Sequence, residues 1–311
     1  MELTIRPYAD GDAEGIAAVL GDIDVRFGAH PSIVAVDVGT WMRQVRDPAT
    51  DTRVVVAPDG SIVAYGAIEP PPDGGVQCGA FGCIHPRWVG RGIGRDLLAW
   101  QLERAREMHQ ALAPSAGWKA WTGTHVDDTD AIRLYQRFGL TPIRYWFQMV
   151  APTANVPAER SASLDGFRVE SAEPVDPEVL YEAHMEAFAD HFGFERQSFS
   201  DWMPSGPGSP LFRPELSRIA YDGDRIAAYI LCYDEADPKV LFVGDVGTRR
   251  PWRRRGLASG LLIEVLRAGA SVDRSEARLG VDAASLTGAV GVYERAGFAV
   301  ESRRVSYTAE L

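Results

Sequence analysis

Cysteine is scarce. The 311 residues contain three, Cys78, Cys83 and Cys232, an odd number without C-x-x-C spacing. That excludes a disulfide framework or a zinc ribbon and leaves free thiols, buried or half-buried. Positive charge is also in deficit: 32 Lys and Arg face 43 Asp and Glu, a formal net charge of -11. Such a balance disfavours nucleic acid or an anionic membrane as partner and favours a cationic molecule near acidic surface. No run of 18 apolar residues occurs, and the opening MELTIRPYADGD lacks the charged-then-apolar order of a secretion signal, so the expected location is the cytosol. Two common nucleotide signatures are missing. There is no G-x-x-x-x-G-K-[ST], and G-x-G-x-x-G fails because Arg254 and Ala258 stand where glycines are needed.

What is present is concentrated in residues 240–269, VLFVGDVGTRRPWRRRGLASGLLIEVLRAG. An apolar run from Val240 to Val246 meets Gly247 and Pro251 and passes through the basic turn Arg253-Arg254-Arg255-Gly256. It leaves with apolar residues at helical spacing, Leu257, Leu261, Leu262, Val265 and Leu266. This order predicts strand, turn and helix. Backbone N–H groups converging at a helix start, with the helix dipole behind them, attract an anion, and glycine lets a phosphate approach the chain.

The same order occurs earlier. A shift of 164 residues sets Gly92 on Gly256, Trp88 on Trp252, Leu97-Leu98 on Leu261-Leu262, and IVAY at 62–65 on IAAY at 226–229. A shift of 158 sets LYQRFGL, with Tyr135, on VYERAGF, with Tyr293. Two copies of one domain explain both shifts: 1–150 and 165–311, joined by an Ala-, Pro- and Ser-rich linker over 151–164. In the first copy the pattern predicts a strand over 2–7, helices over 10–20 and 38–45, and a hairpin of 53–57 with 61–68 closed by Asp59-Gly60. A strand over 76–84, a helix from Ile93 and a last strand over 145–150 follow. The second copy has a strand over 167–171, a helix over 176–188 and a last strand over 302–307. Its insertion over 192–214, crowded with aromatics and prolines, is expected to border the acceptor site, since long loops usually carry function.

Arg-x-x-Gly-x-Ala, read as Arg253, Gly256 and Ala258 and followed by a Leu-Leu pair, resembles the acetyl-CoA pyrophosphate loop of the GCN5-related N-acetyltransferases. VYERAGF and LYQRFGL resemble that family's L-Y-x-x-x-G-F motif. The resemblance covers essentially the whole chain. It implies an α/β (α+β) fold of two tandem domains, each a mixed, mostly antiparallel twisted sheet flanked by helices. It implies acetyl-CoA as co-substrate, no metal, and direct transfer of the acetyl group to a primary amine of a small molecule. The residues it points to around the pyrophosphate are Arg253, Arg254, Arg255, Gly256, Leu257 and Ala258. Gly90, Arg91, Gly92, Ile93 and Gly94 are their counterparts in the first copy. Tyr293 is placed beside the cofactor sulfur, where a phenol of pKa about 10 can donate to a departing thiolate. The asparagine common upstream of that motif is absent; Ser285 or Leu286 is nearest in the second copy and Asp128 in the first.

The reaction also needs a polarised thioester carbonyl and a proton acceptor. Backbone N–H groups of Val246 and Gly247 are expected to polarise the carbonyl. Asp245 is the expected base, because an acid within the apolar run LFVGDVG must be hydrogen-bonded or functional; His184 and His191 come next. The first copy carries Val89 in place of Arg253 and Phe81 in place of Asp245. Catalysis is therefore expected in the second copy, with the first binding acetyl-CoA or serving as scaffold. The competing readings are a catalytically silent acyl-CoA-binding or regulatory protein and a protein or peptide N-acetyltransferase. The expected assembly is a monomer or a homodimer.

Overall fold

The computed structural model describes residues 3–31, 33–72, 74–154, 156, 162–284 and 288–311. Contacts divide the chain into two units, Met1–Trp146 with Ser302–Leu311, and Phe147–Glu301.

The first unit begins with β1 (Thr4–Arg6), α1 (Ala13–Arg26), α2 (Ala35–Gln44) and the short α3 (Pro48–Asp51), then β2 (Thr52–Val56), β3 (Ile62–Glu69) and β4 (Gln77–Ile84). Asp59 and Gly60 close the β2–β3 hairpin. Gly60 sits at φ +86° and the Asp59 carboxylate accepts from Ser61 N at 3.0 Å, a turn conformation that suits these two residues. β1 to β4 form an antiparallel meander. After a glycine turn come α4 (Ile93–Leu112), β5 (Lys119–His125) and α5 (Thr129–Arg137). The α4 residues Ile93, Leu97, Leu98, Leu102 and Ala105 are all buried, as their spacing predicts. β4 and β5 run parallel and pair only over Gln77–Gly79 and Lys119–Trp121; beyond that point the register ends. β12 (Ala299–Glu310) pairs antiparallel with β5 through Arg304–Glu310.

The second unit repeats the plan. β6 (Thr141–Pro152) enters it at Phe147, followed by β7 (Arg168–Ser171), α6 (Pro177–Phe188), α7 (Phe199–Trp202), β8 (Arg218–Asp222), β9 (Arg225–Asp234) and β10 (Val240–Thr248). α8 (Leu257–Ser271), β11 (Glu276–Asp282) and α9 (Ala289–Arg295) complete it. β10 and β11 are parallel partners over Val240–Val243 and Glu276–Leu279 and then part. A bulge interrupts the β10–β9 ladder between Val243 and Asp245. The copies differ here, since β4 pairs with β3 without a register shift. One core lies under α8 around Leu261, Leu262 and Val265. Another lies under α6 around Leu180, Trp202 and Tyr229.

Two regions differ from expectation. The stretch expected as a linker starts as sheet: β6 runs to Pro152, Ala151 is fully buried, and Thr153 N donates to Ser275 O at 3.0 Å. Small Ala and Ser side chains read as loop in composition but also fit a packed strand end. Positions 155 and 157–161 lie outside the described residues. The 192–214 insertion, expected as a long loop, folds α7, capped by the Ser198 hydroxyl, and buries Trp202 among the α6 residues. All three cysteines are buried and free. Among the described residues no helix is long and apolar enough to cross a membrane.

Candidate active site

In the second unit the turn before α8 has two left-handed residues, Arg254 at φ 62° and Gly256 at φ +80°. The first unit uses Gly90 and Gly92 at the equivalent positions, φ +82° and +87°, so both copies bend the chain in the same way. Gly256 and Gly92 are N-caps without a side-chain cap. The leading N–H groups of α8 and α4 thus have no intrahelical partner and no side-chain cap among the described residues, and an anion would satisfy them.

Arg253 does not point its charge at that anion position. Its guanidinium donates to Asp190 at 2.6 Å, to Ala187 O at 3.0 Å and to Thr248 O at 3.1 Å. Arg250 pairs with the same carboxylate, and the two guanidiniums hold the Asp190 carboxyl at about 2. Arg253 therefore braces the turn against the end of α6. Arg254 and Arg255 are exposed and are the cations at this turn available to a phosphate. Leu257 is buried core, whereas Ala258 is half-exposed.

Asp245 follows the bulge and faces α6. Tyr233 donates to its Oδ2 at 3.2 Å, and His184 Nδ1 lies 3.9 Å from its Oδ1. The Tyr229 hydroxyl is 3.0 Å from that same His184 nitrogen. Burial pushes the His184 pKa down, and the nearby Asp245 charge partly opposes this. Tyr229 and Tyr233 are raised well above the ordinary phenol value by burial and then by Asp245. Tyr293 is pushed up to about 12, again by burial first and Asp245 second. Asp245 and Tyr293 are thus brought into one electrostatic neighbourhood. His191 lies past the end of α6 and does not share a helix face with His184. Instead the Phe188 ring packs on both, at 4.4 Å from His184 and 4.2 Å from His191.

The two backbone donors separate. Arg249 N donates to Ala227 O at 3.0 Å. Ladder alternation then directs Gly247 N toward β9 and Val246 N toward the gap where β10 and β11 part. Of the two amides, Val246 N–H thus faces away from the β9 ladder and Gly247 N–H into it. Gly247 is required for another reason, since a Cβ there would enter the Tyr229 ring. The expected upstream positions Ser285 and Leu286 lie outside the described residues. Tyr229 and Tyr233 were not singled out from sequence, although Tyr229 closes the repeated IVAY/IAAY segment.

The first unit holds a cavity of about 530 Å³, lined among others by Trp88, Gly90, Gly92, Gly94, Tyr135 and Tyr65. Tyr135 donates to Gly123 O at 3.3 Å and receives the Thr122 hydroxyl at 3.5 Å. Asp128 caps α5, accepting from Ala131 N at 3.0 Å and from the Thr124 hydroxyl at 3.2 Å. His125 sits 3.1 Å from Asp24 and stacks on Phe27 at 4.9 Å. Arg26, Arg95, Arg133, Arg137 and Arg304 add positive charge to the lining. Arg91 lies over the Trp88 ring, 4.5 Å from its centroid.

Comparison with known proteins agrees with this geometry. Residues 178–298 match the acetyltransferase (GNAT) family model and residues 50–141 match an acetyltransferase (GNAT) domain model, together more than half of the chain. The mycothiol acetyltransferase of Thermomonospora curvata is 32% identical over 134 residues, 43% of this chain and 41% of that protein. That of Tsukamurella paurometabola is 35% identical over 141 residues, 44% of each. The match thus spans less than half the length of these curated relatives. The crystal structure of a GCN5-related N-acetyltransferase from Sphaerobacter thermophilus superposes with a TM-score of 0.79 at 29% identity. It covers 99% of this chain and 95% of that one. With a matching domain in each half and the parted parallel strands repeated in each unit, the chain belongs to the GNAT acetyltransferase family as a tandem member.

Proposed function

We propose that the protein is an N-acetyltransferase that moves the acetyl group of acetyl-CoA to a primary amine of a small molecule, with the chemistry in the second unit. The carrying observation is Asp245. The bulge turns this carboxylate toward His184, Tyr229 and Tyr233, and its charge is felt at Tyr293. The relatives named mycothiol acetyltransferases support a small-molecule acceptor. The turn amides at Gly256, with Arg254 and Arg255, fit a pyrophosphate.

In this reading Asp245 takes the proton from the acceptor ammonium, and Val246 N–H polarises the thioester carbonyl as the amine attacks. The C–S bond breaks, and Tyr293, still protonated at neutral pH because burial raises its pKa, hydrogen-bonds the departing thiolate. Tyr233 and His184 keep Asp245 oriented. The first unit binds acetyl-CoA in its own cavity, whose turn glycines and arginine-rich lining suit the same phosphates.

Purified protein incubated with acetyl-CoA and a panel of primary amines should release CoA thiol. Asp245→Asn and Tyr293→Phe should each lower kcat for the preferred amine by about 10²-fold or more, with the KM for acetyl-CoA little changed. Unaltered turnover of every amine in both variants would remove the second unit from the chemistry. Tight acetyl-CoA binding without amine-dependent release would instead identify a silent acyl-CoA binder.

A further inference from the structure

The first unit loses the acid of β4, with Phe81 standing where the second unit has Asp245. One strand over, the exchange runs the other way. The 164-residue shift that sets Phe81 on Asp245 also sets Glu69 of β3 on Tyr233 of β9. In the second unit these diagonal neighbours touch, Tyr233 donating to Asp245 at 3.2 Å. The first unit keeps one carboxylate and one aromatic ring on the same diagonal and swaps their strands.

The register fixes what surrounds Glu69. It stands opposite Gly79 on β4, and Gly79 stands opposite Trp121 on β5. Glu69 and Trp121 therefore flank a residue without a side chain, and the Phe81 ring occupies the space that a Cβ on Gly79 would need. Phe81 and Trp121 meet edge to face at 5.8 Å. Both rings are only half-buried and belong to none of the hydrophobic clusters. The Trp121 indole nitrogen is buried without a hydrogen-bond partner among the described residues. The group lies at the last paired residues before β4 and β5 part, on the same face as Tyr65, which lines the cavity of this unit.

We propose that Glu69, Phe81 and Trp121 form a second amine-acceptor site in the first unit, with Glu69 as its proton acceptor and an aryl- or alkyl-substituted primary ammonium as its ligand. The two rings supply faces for an apolar cation, and the carboxylate supplies the counter-charge. In the reaction the amine nitrogen bonds to the thioester carbonyl carbon and the C–S bond breaks. Glu69 takes a proton from the nitrogen, and the Tyr135 hydroxyl turns its one proton from Gly123 O to the leaving thiolate. An ammonium and acetyl-CoA thus give the amide, CoA thiol and one proton to solvent. Burial raises the Glu69 carboxyl to about 7, where a base operates best near neutral pH. Its neighbours Tyr65 and Cys78 are pushed upward by burial and stay neutral across that range.

This inference rests on the acetyl-CoA chemistry proposed above but not on its placement in the second unit. The experiment is CoA-thiol release from the full chain with acetyl-CoA and phenethylamine, hexylamine, spermidine or glucosamine. Asp245→Asn should retain release with phenethylamine and hexylamine, with a rate that rises through about pH 7. Adding Glu69→Gln should lower that residual rate by about 10²-fold at unchanged KM for acetyl-CoA, and Glu69→Asp should restore part of it. Loss of all amine-dependent release in Asp245→Asn alone, or a residual rate indifferent to Glu69→Gln, overturns the second site. Absence of release from the unmodified protein with every amine overturns the acetyltransferase reading itself.

Discussion

Gly247 shows how an absent side chain can shape a site. Tyr229 needs the volume beside it to reach His184, and any Cβ at position 247 enters the phenol ring. The backbone there is part of the β10–β9 ladder and cannot retreat. Gly247→Ala should therefore cost about 1–3 kcal/mol, the usual range for overpacking. It should also displace Tyr229 from His184, so thermal denaturation should show a lower midpoint and the amine assay a lower kcat. An unchanged midpoint would mean that the ring has another place to go. Comparable contacts explain which residues sequence could and could not reveal. Asp245 stood out because it is an acid in an apolar run. Arg253 stood out equally, yet its charge is spent on Asp190 and the carbonyls of Ala187 and Thr248, the first two more than 60 residues away, where no local pattern displays them. Glu69 looked ordinary until pairing placed it beside Phe81.

At the scale of the element, the turn that starts α8 differs from its counterpart at α4 in what lies behind it. Both caps are left-handed glycines, so alanine costs about 1 kcal/mol of backbone energy at either. Gly256 also has Ser163 packed against it; an added Cβ would lie 2.8 Å from the Ser163 Cβ, whereas at Gly92 the nearest atom is the flexible end of Arg95 at 3.5 Å. Gly256→Ala should thus destabilise by about 1 kcal/mol more than Gly92→Ala, read as the difference in denaturant midpoint at constant slope. Equal losses would show that Ser163 yields freely. Helices and strands themselves were legible, because α4 and α8 bury the residues their period marks and the Asp59-Gly60 hairpin closes as its turn chemistry requires. The bulge before Asp245 was not legible. Gly244 permits it, but only comparison of the β3–β4 and β9–β10 registers reveals the extra residue.

At the scale of the whole chain, the repeat in sequence and the division in space do not coincide. Residues 302–311, the end of the second copy, belong to the first unit. They pair with β5 from Arg304↔His125 to Glu310↔Lys119 and bury Val305 and Tyr307 against Leu98, Leu102, Ala120 and Leu140. Arg304 from the same strand lines the first unit's cavity. Ending the chain at Glu301 should therefore damage the unit formed by its beginning. Burial of Val305 and Tyr307 alone is worth about 3–6 kcal/mol at roughly 1.5–3 kcal/mol for each large apolar side chain, a large share of the 5–15 kcal/mol typical of a domain. The β5 edge would also be left with unpaired N–H and C=O groups, a template for association with other chains. Calorimetry of the truncated protein should show one transition shifted down or lost while another persists. The acetyl-CoA binding proposed for the first unit's cavity should be lost with it. A truncated chain that melts like the full one would place the closing strand of that unit elsewhere.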